Sequence, residues 1–423
     1  MNNSKPLSMR ELSRSTVGPI LLPFVCWILT EAAERGISRI YFLARDGYLL
    51  CKIAERIKLN LKIEIDCRYL YCSRQSLRMP TYHFIGEEAF DLLTVGGVCL
   101  TPSSVLKRAM LTEKEAERIL RELNINEPDT VFTESQYSDF KARLCSNEYF
   151  RATVTERSEK AYTPTVEYLK KEGLFDSDTV AIADSGWTGS MQRSLRMLME
   201  KEGYRGKIVG FYFGMYSPPK SCADGEYLTF YFNAKSGLWR RVFFNNNLFE
   251  CMLCAPHPMT LGYRKEGKSV LPVFAAPPPD SMLRLTEEQI EGALQYTEDS
   301  LYRLTDREWQ KSRGALIRKC RKTLKRITVY PTEQEARLLS GFMFSDDFAE
   351  GGEQPLAHGD MKKRLSSYCF FPRLFRKLTG RKNGSADGIF WTYGVIAFCH
   401  GIKKLWYRIN VMAWDIARAI FKK

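Results

Sequence analysis

Metal-binding motifs are scarce in this chain. Four histidines occur in 423 residues, and the stretches that read as sheet lack acidic pairs of the DxD type, which argues against a metal-dependent nucleotide-sugar transferase. Cys251-Met252-Leu253-Cys254, with His257 after it, is the one CxxC. Without a second pair it reads more simply as two cysteines on a buried apolar face than as a zinc site. The twelve cysteines follow no repeating spacing, which excludes a disulfide framework and fits reduced thiols in the cytoplasm. Membrane-length hydrophobic runs are missing too. Residues 17–29 are apolar and follow Lys5, Arg10 and Arg14, imitating a secretory signal, but no small-residue cleavage site follows. The pattern continues as helix through residues 30–35 and stops at Gly36, as a buried helix with a C-cap does. Residues 389–402 are broken by Gly394, His400 and Gly401. The expectation is a cytoplasmic protein, soluble or peripheral on the inner face of the membrane.

What the chain has in excess is positive charge, unevenly placed. The formal net charge is +14, of which residues 361–423 supply +12, leaving about +2 for the first 360 residues. From Ile402 onward, Leu405, Trp406, Ile409, Met412, Ala413, Ile416 and Ile420 recur at helical spacing, with Lys404, Arg408, Asp415, Arg418 and Lys422 on the other side. That is the pattern of a helix lying on an anionic membrane surface, residues 402–423 being the contact. Packing on the protein's own core is the competing reading. A nucleic-acid partner is disfavoured, because the basic patch sits on an apolar helix and not on a stacking surface.

The centre of the chain lies elsewhere. Val180-Ala181-Ile182-Ala183 reads as a buried parallel strand with Asp184 at its carboxyl end, and Ser185-Gly186-Trp187-Thr188-Gly189-Ser190 as a Gly-rich loop opening a helix over 191–201. Unpaired N–H groups at a helix start favour phosphate, and the acid suits ribose hydroxyls or magnesium. An ordinary strand-to-helix turn with an Asp N-cap is the bland alternative. Earlier, residues 39–43 read as a strand, Ala44-Arg45-Asp46-Gly47 as a turn, 48–58 as a helix and 68–72 as a second strand ending at Ser73-Arg74. This βαβ unit predicts a parallel sheet whose ligands gather at the carboxyl ends of the strands. Arg45, Asp46, Ser73, Arg74 and Asp184 all fall at such ends.

The remaining pattern gives the organisation. Residues 80–178 turn helical and polar, an insertion over the rim of the sheet; 207–214 and 227–232 read as strands. Residues 260–263 and 269–274 look like a hairpin, and Pro277-Pro278-Pro279 like a stiff linker. Thr286 with Gln289 resembles a capping box for a helix reaching about Leu304, with a second helix over 312–325. The predicted divisions are an α/β domain over 1–275, a helical subdomain over 280–360, and a basic tail over 361–423.

Two sets of motifs carry a resemblance. Ala44-Arg45-Asp46-Gly47, Ser73-Arg74 and the 184–190 loop, in that order, resemble the diphosphate loop, basic strand end and 5-phosphate loop of type I phosphoribosyltransferases. The second acid of that loop is Ser185 here, and the loop is one residue shorter. More closely, Phe42-Leu43-Ala44-Arg45-Asp46-Gly47-Tyr48, Tyr71-Cys72-Ser73-Arg74, the 184–190 phrase, and Glu250 with Ala255-Pro256-His257 and Gly262-Tyr263 resemble a bacterial HAD-hydrolase-like family of surface-polysaccharide clusters. There, a phosphoribosyltransferase-like module often accompanies a phosphatase.

The resemblance implies a Rossmann-like core and transfer of 5-phosphoribosyl from phosphoribosyl pyrophosphate (PRPP), with Mg2+, to a hydroxyl of a glycan acceptor such as a lipid-linked one. Attack opposite the leaving group would invert the configuration, and a separate phosphatase would then remove the 5-phosphate. On this reading Arg45, Arg74 and the Gly47 backbone hold diphosphate, Ser73 borders it, and Gly186, Trp187, Thr188, Gly189 and Ser190 cradle the 5-phosphate beside Ser185. Asp184 meets the ribose hydroxyls and the metal, and Asp46, Glu250 and His257 are the candidate catalytic bases. Each of the three could equally be structural. HAD phosphatase chemistry is disfavoured, since Ala44 occupies the place of the nucleophilic aspartate. A conventional nucleotide-sugar transferase and a non-catalytic membrane scaffold stay open as alternatives.

Overall fold

The structure, a computed structural model, describes residues 6–95, 100–217, 225–344, 354–379 and 388–421. Five strands form the central sheet: β1 (Arg39–Leu43), β2 (Asp66–Leu70), β3 (Thr179–Trp187), β4 (Lys207–Met215) and β5 (Gly225–Phe232). Their order is β2-β1-β3-β4-β5 and every neighbouring pair is parallel. The fold class is therefore α/β with a parallel sheet. Near-continuous apolar runs explain it, because a parallel sheet is covered on both faces and needs apolar residues at odd and even positions alike.

Alternation assigns the faces. Ile40, Phe42, Ala181, Ala183, Val209, Phe211 and Phe213 point into one core with the helices Val17–Glu34 and Gly47–Ile57. Tyr41, Leu43, Val180, Ile182 and Ile208 point into the other with the helix Ser190–Lys201. The helix Val17–Glu34 is long and apolar enough to cross a membrane, yet most of it is buried in the core. It ends at Arg35 with Gly36 at φ 68°, the left-handed stop expected from sequence.

Residues 79–154 pack a core of their own, separate from the sheet. This is the helical insertion, and its last helix, Glu148–Lys171, reaches back to place Tyr168 and Leu169 in the core of the sheet. The hairpin is present as β6 (Thr260–Glu266) and β7 (Ser269–Phe274), turning at Gly267 with φ 59°.

Among the described residues, the core under the sheet joins Leu12, Val25 and Phe42 to Ala293, Leu324 and Trp391 in one cluster. The structure revises two expectations. The capping box at Thr286 does not form. The helix starts earlier, at Asp280, so Thr286 is interior and donates to the Met282 carbonyl at 2.9 Å, while buried Gln289 donates to the Cys251 carbonyl at 3.0 Å. Finally, β3 does not end at Asp184. It stays in register with β4 through Trp187, opposite Met215.

Candidate functional site

Strand β1 is flanked by β2 on one side and β3 on the other, so successive strands are added in opposite directions from it. A parallel sheet opens a crevice at such a switch point, beyond the carboxyl ends of the strands. Asp46 follows β1 and Asp184 lies near the end of β3, one on each side of that crevice.

The two carboxylates sense each other. Burial is the main cause raising both, and Asp46 adds to the rise at Asp184, which is pushed up to about 8. Both residues keep intermediate exposure, so they are packed against the protein yet reachable from solvent. The Ser185 hydroxyl donates to the Asp46 carboxylate, and the charges of Arg45 and Arg74 oppose the rise there. Arg74 does the same for Asp184, whereas Glu250 pushes Asp184 further up. Six residues named from sequence, Arg45, Asp46, Arg74, Asp184, Ser185 and Glu250, thus form one electrostatic group. Arg45 and Arg74 are exposed and form no ion pair within 4.0 Å among the described residues.

Glu250 arrives on the short helix Asn246–Cys251, capped by Asn245. The Trp187 indole N–H donates to its carboxylate. Trp187 can aim there because its backbone has φ 75°, and its ring packs among Phe232, Phe244 and Phe249.

Two glycines of the motifs answer to the protein's own backbone. A Cβ at Gly47 would lie 2.5 Å from the Phe42 carbonyl carbon, and one at Gly186, where φ is 116°, would lie 2.3 Å from the Gly214 oxygen. Gly186 and Trp187 belong to the strand, and the Thr188 amide donates to the Gly186 carbonyl at 3.2 Å. What remains of the expected phosphate loop is Gly189-Ser190 and the helix Ser190–Lys201, whose N-terminus no side chain caps.

Two candidates are occupied otherwise. Ser73 is buried; it caps the helix Arg74–Arg78 by accepting from the Ser76 amide at 3.0 Å and donates to the Thr260 carbonyl at 2.6 Å. His257 donates from Nδ1 to the Pro258 carbonyl at 2.8 Å, which makes Nε2 the acceptor for the Tyr69 hydroxyl at 2.6 Å. Tyr48, Tyr71 and Phe274 surround its ring, and burial holds it below the usual imidazole value. It is the satisfied neutral histidine of the structural alternative.

Sequence reasoning overlooked a cluster of arginines on the insertion side of the rim. Burial pushes Arg78 down to about 10, and Arg74, Arg108 and Arg193 push the same way against Tyr82. Arg108 donates to the Leu93 and Val95 carbonyls and Arg193 pairs with Glu88. The i, i+4 spacing of Arg74 and Arg78 was the available signal. A cleft of about 480 Å3 lies elsewhere, among Glu333, Arg337, His358 and His400 of the C-terminal helices. Its lining holds a single carboxylate, Glu333.

The fold and this rim define a class: an α/β protein with an acidic pair and two exposed arginines, outside any ion pair among the described residues, at the switch point of a parallel sheet. No protein-family model matches the chain, and no curated protein is similar to it.

Proposed function

We propose that the chain transfers 5-phosphoribosyl from PRPP to a hydroxyl of a glycan acceptor. The observation that carries this reading is the pairing of Asp46 and Asp184 with the exposed guanidinium groups of Arg45 and Arg74. Two buried carboxylates, one of them raised further by the other, are short of positive charge, and two exposed arginines with no ion pair among the described residues are short of negative charge. A magnesium diphosphate supplies both, since Mg2+ is commonly held by one or two carboxylates together with substrate phosphates. Phosphoribosyl as the transferred group, within a phosphoribosyltransferase-like core, is favoured by the resemblance of the 44–47, 73–74 and 184–190 motifs.

Asp46 and Asp184 would hold the Mg2+, which when bound neutralises charge on the diphosphate. Arg45 and Arg74 bind the diphosphate oxygens, and the uncapped start of the helix Ser190–Lys201 receives the 5-phosphate. The bond from C1 to the diphosphate oxygen breaks with its electron pair leaving on oxygen, so positive charge grows on the ribose ring. The acceptor oxygen bonds to C1 from the opposite face and gives its proton to a carboxylate. Glu250, aimed by the Trp187 N–H and carried on a separate element from the acidic pair, is the preferred base. His257 is a poor one, because both ring nitrogens are engaged.

Calorimetry with PRPP and Mg2+ tests the donor. Binding that requires Mg2+ and is lost in Asp184→Asn is expected. Binding of nucleotide sugars in place of PRPP would move the reading to a conventional glycosyltransferase, and binding of neither would return the 184–190 motif to an ordinary turn.

A further inference from the structure

The last helix, Gly401–Phe421, is seated unusually. A helix on a protein normally turns its apolar stripe inward. Here Val411, Met412 and Tyr407 meet the core, but Ile402, Leu405, Trp406, Ile409 and Ile420 stand 86, 57, 51, 59 and 49% exposed. From Ile402 through Leu405 and Trp406 to Ile409 and Ala413 the spacing is three or four residues, and Ile420 lies two turns beyond Ala413, so these positions share one outward stripe. The inward side mixes the apolar contacts of Val411, Met412 and Tyr407 with polar ones. Asp415 accepts from the Tyr393 hydroxyl at 3.0 Å and lies 3.9 Å from Arg373, and Arg408 lies over the Tyr330 ring. Arg373 belongs to a neighbouring helix, Phe370–Thr379, which touches the last helix again through Phe370 and Trp414. That helix repeats the inversion: Phe371, Phe375 and Leu378 are 74, 58 and 77% exposed at i, i+4 and i+7.

We infer that these two helices form a docking face for an anionic lipid bilayer. The choice of occupant comes from charge. Lys362, Lys363, Lys377, Lys403 and Arg418 are exposed on or beside these helices, in a segment of net charge +12. A second copy would bring an identical basic segment against this one, and like charges across an interface are repelled. A bilayer with acidic headgroups offers apolar depth for the stripe and negative charge for its flanks, with Trp406 at the level where an indole is favoured. Since a soluble protein ordinarily scatters its exposed apolar side chains, eight of them in two touching helices require a cover. The inference is independent of the transfer chemistry.

The test is flotation of the full chain with vesicles of phosphatidylglycerol and phosphatidylcholine, and with phosphatidylcholine alone, at low and high salt. Affinity at least about tenfold higher for the anionic vesicles, weakened by salt, is expected, and Leu405→Glu with Ile409→Glu should remove it. These side chains are exposed, so an unchanged melting curve would show that the variant is folded. Phe375→Glu, on the other helix, serves the same purpose separately. Sedimentation without lipid covers the rival occupant. Absence of vesicle binding, binding indifferent to the variants, or a dimer that the variants dissociate would each overturn the inference.

Discussion

The strand-end rim and the C-terminal helix pair break the same rule in opposite senses. At the rim, burial raises both carboxylates and Asp46 raises Asp184 further, with Arg45 and Arg74 exposed and outside any ion pair among the described residues. On the C-terminal helices, Asp415 turns inward while Leu405, Trp406, Phe371 and Phe375 face water. Neither arrangement is favourable for the isolated chain, because buried charge and exposed apolar surface both cost free energy. The difference between them predicts the difference in ligand: doubly charged at the rim, apolar with an anionic border at the tail. A strained polar group and a misplaced apolar group are each informative about what is missing.

The sharpest way to break this comparison is at Glu250. If it accepts the proton of the acceptor, Glu250→Gln should lower kcat by about 10²–10⁴-fold. Calorimetric PRPP binding should persist, since Glu250 is assigned to the acceptor and not to the donor. Loss of donor binding would instead join Glu250 to the acidic pair. Arg45→Ala and Arg74→Ala should behave oppositely. Each removes a charged hydrogen-bond donor, so PRPP affinity should fall by about 10–100-fold, with little change in melting temperature because both side chains are exposed and unpaired.

The legibility of these regions from sequence differed for physical reasons. Apolar runs identified β1, β3 and β4, and the position of Asp46 directly after β1 followed from the βαβ pattern. The extension of β3 through Trp187 was invisible, because Asp184-Ser185-Gly186 carries no strand signal and pairs only because β4 lies beside it. The Trp187–Glu250 bond joins residues 63 apart in the chain, and no local pattern encodes that. Thr286 and Gln289 had the spacing of a capping box, but the proline run ends at Pro279 and the helix begins directly after it. At the C-terminus the amphipathic period was plain. Which face would turn outward was not, since that depended on Arg373 and Tyr393 capturing Asp415.

A smaller effect sharpens the rim. Asp184 is pushed up to about 8, above its ordinary value of 3.8, so its contribution to stability is present when it is protonated and is lost as pH rises toward 8. Asn mimics the protonated form. Asp184→Asn should therefore melt a few degrees higher than the native protein above pH 8 without metal, with the gain vanishing near pH 4. Adding Mg2+ and PRPP should reverse the order, because only the native protein gains from binding them. A variant less stable at alkaline pH would show that Asp184 is held by structural partners and is not waiting for a cation.

The smallest expected effect is the most direct check on treating the regions as separate. Distant sites without shared partners contribute independently, to within about 0.5 kcal/mol; Tyr216 senses both Arg418 and Glu250, but Leu405 and Ile409 lie more than two turns before Arg418. Leu405→Glu with Ile409→Glu should then leave PRPP affinity in solution unchanged, and Asp184→Asn should leave vesicle affinity unchanged. Turnover on an acceptor embedded in vesicles is different: it needs both regions, so the tail variant should lose activity there and retain it on a water-soluble acceptor. If the tail variant instead weakened PRPP binding in solution, the two inversions would be parts of one coupled device, with the helices acting on the rim through the core they share.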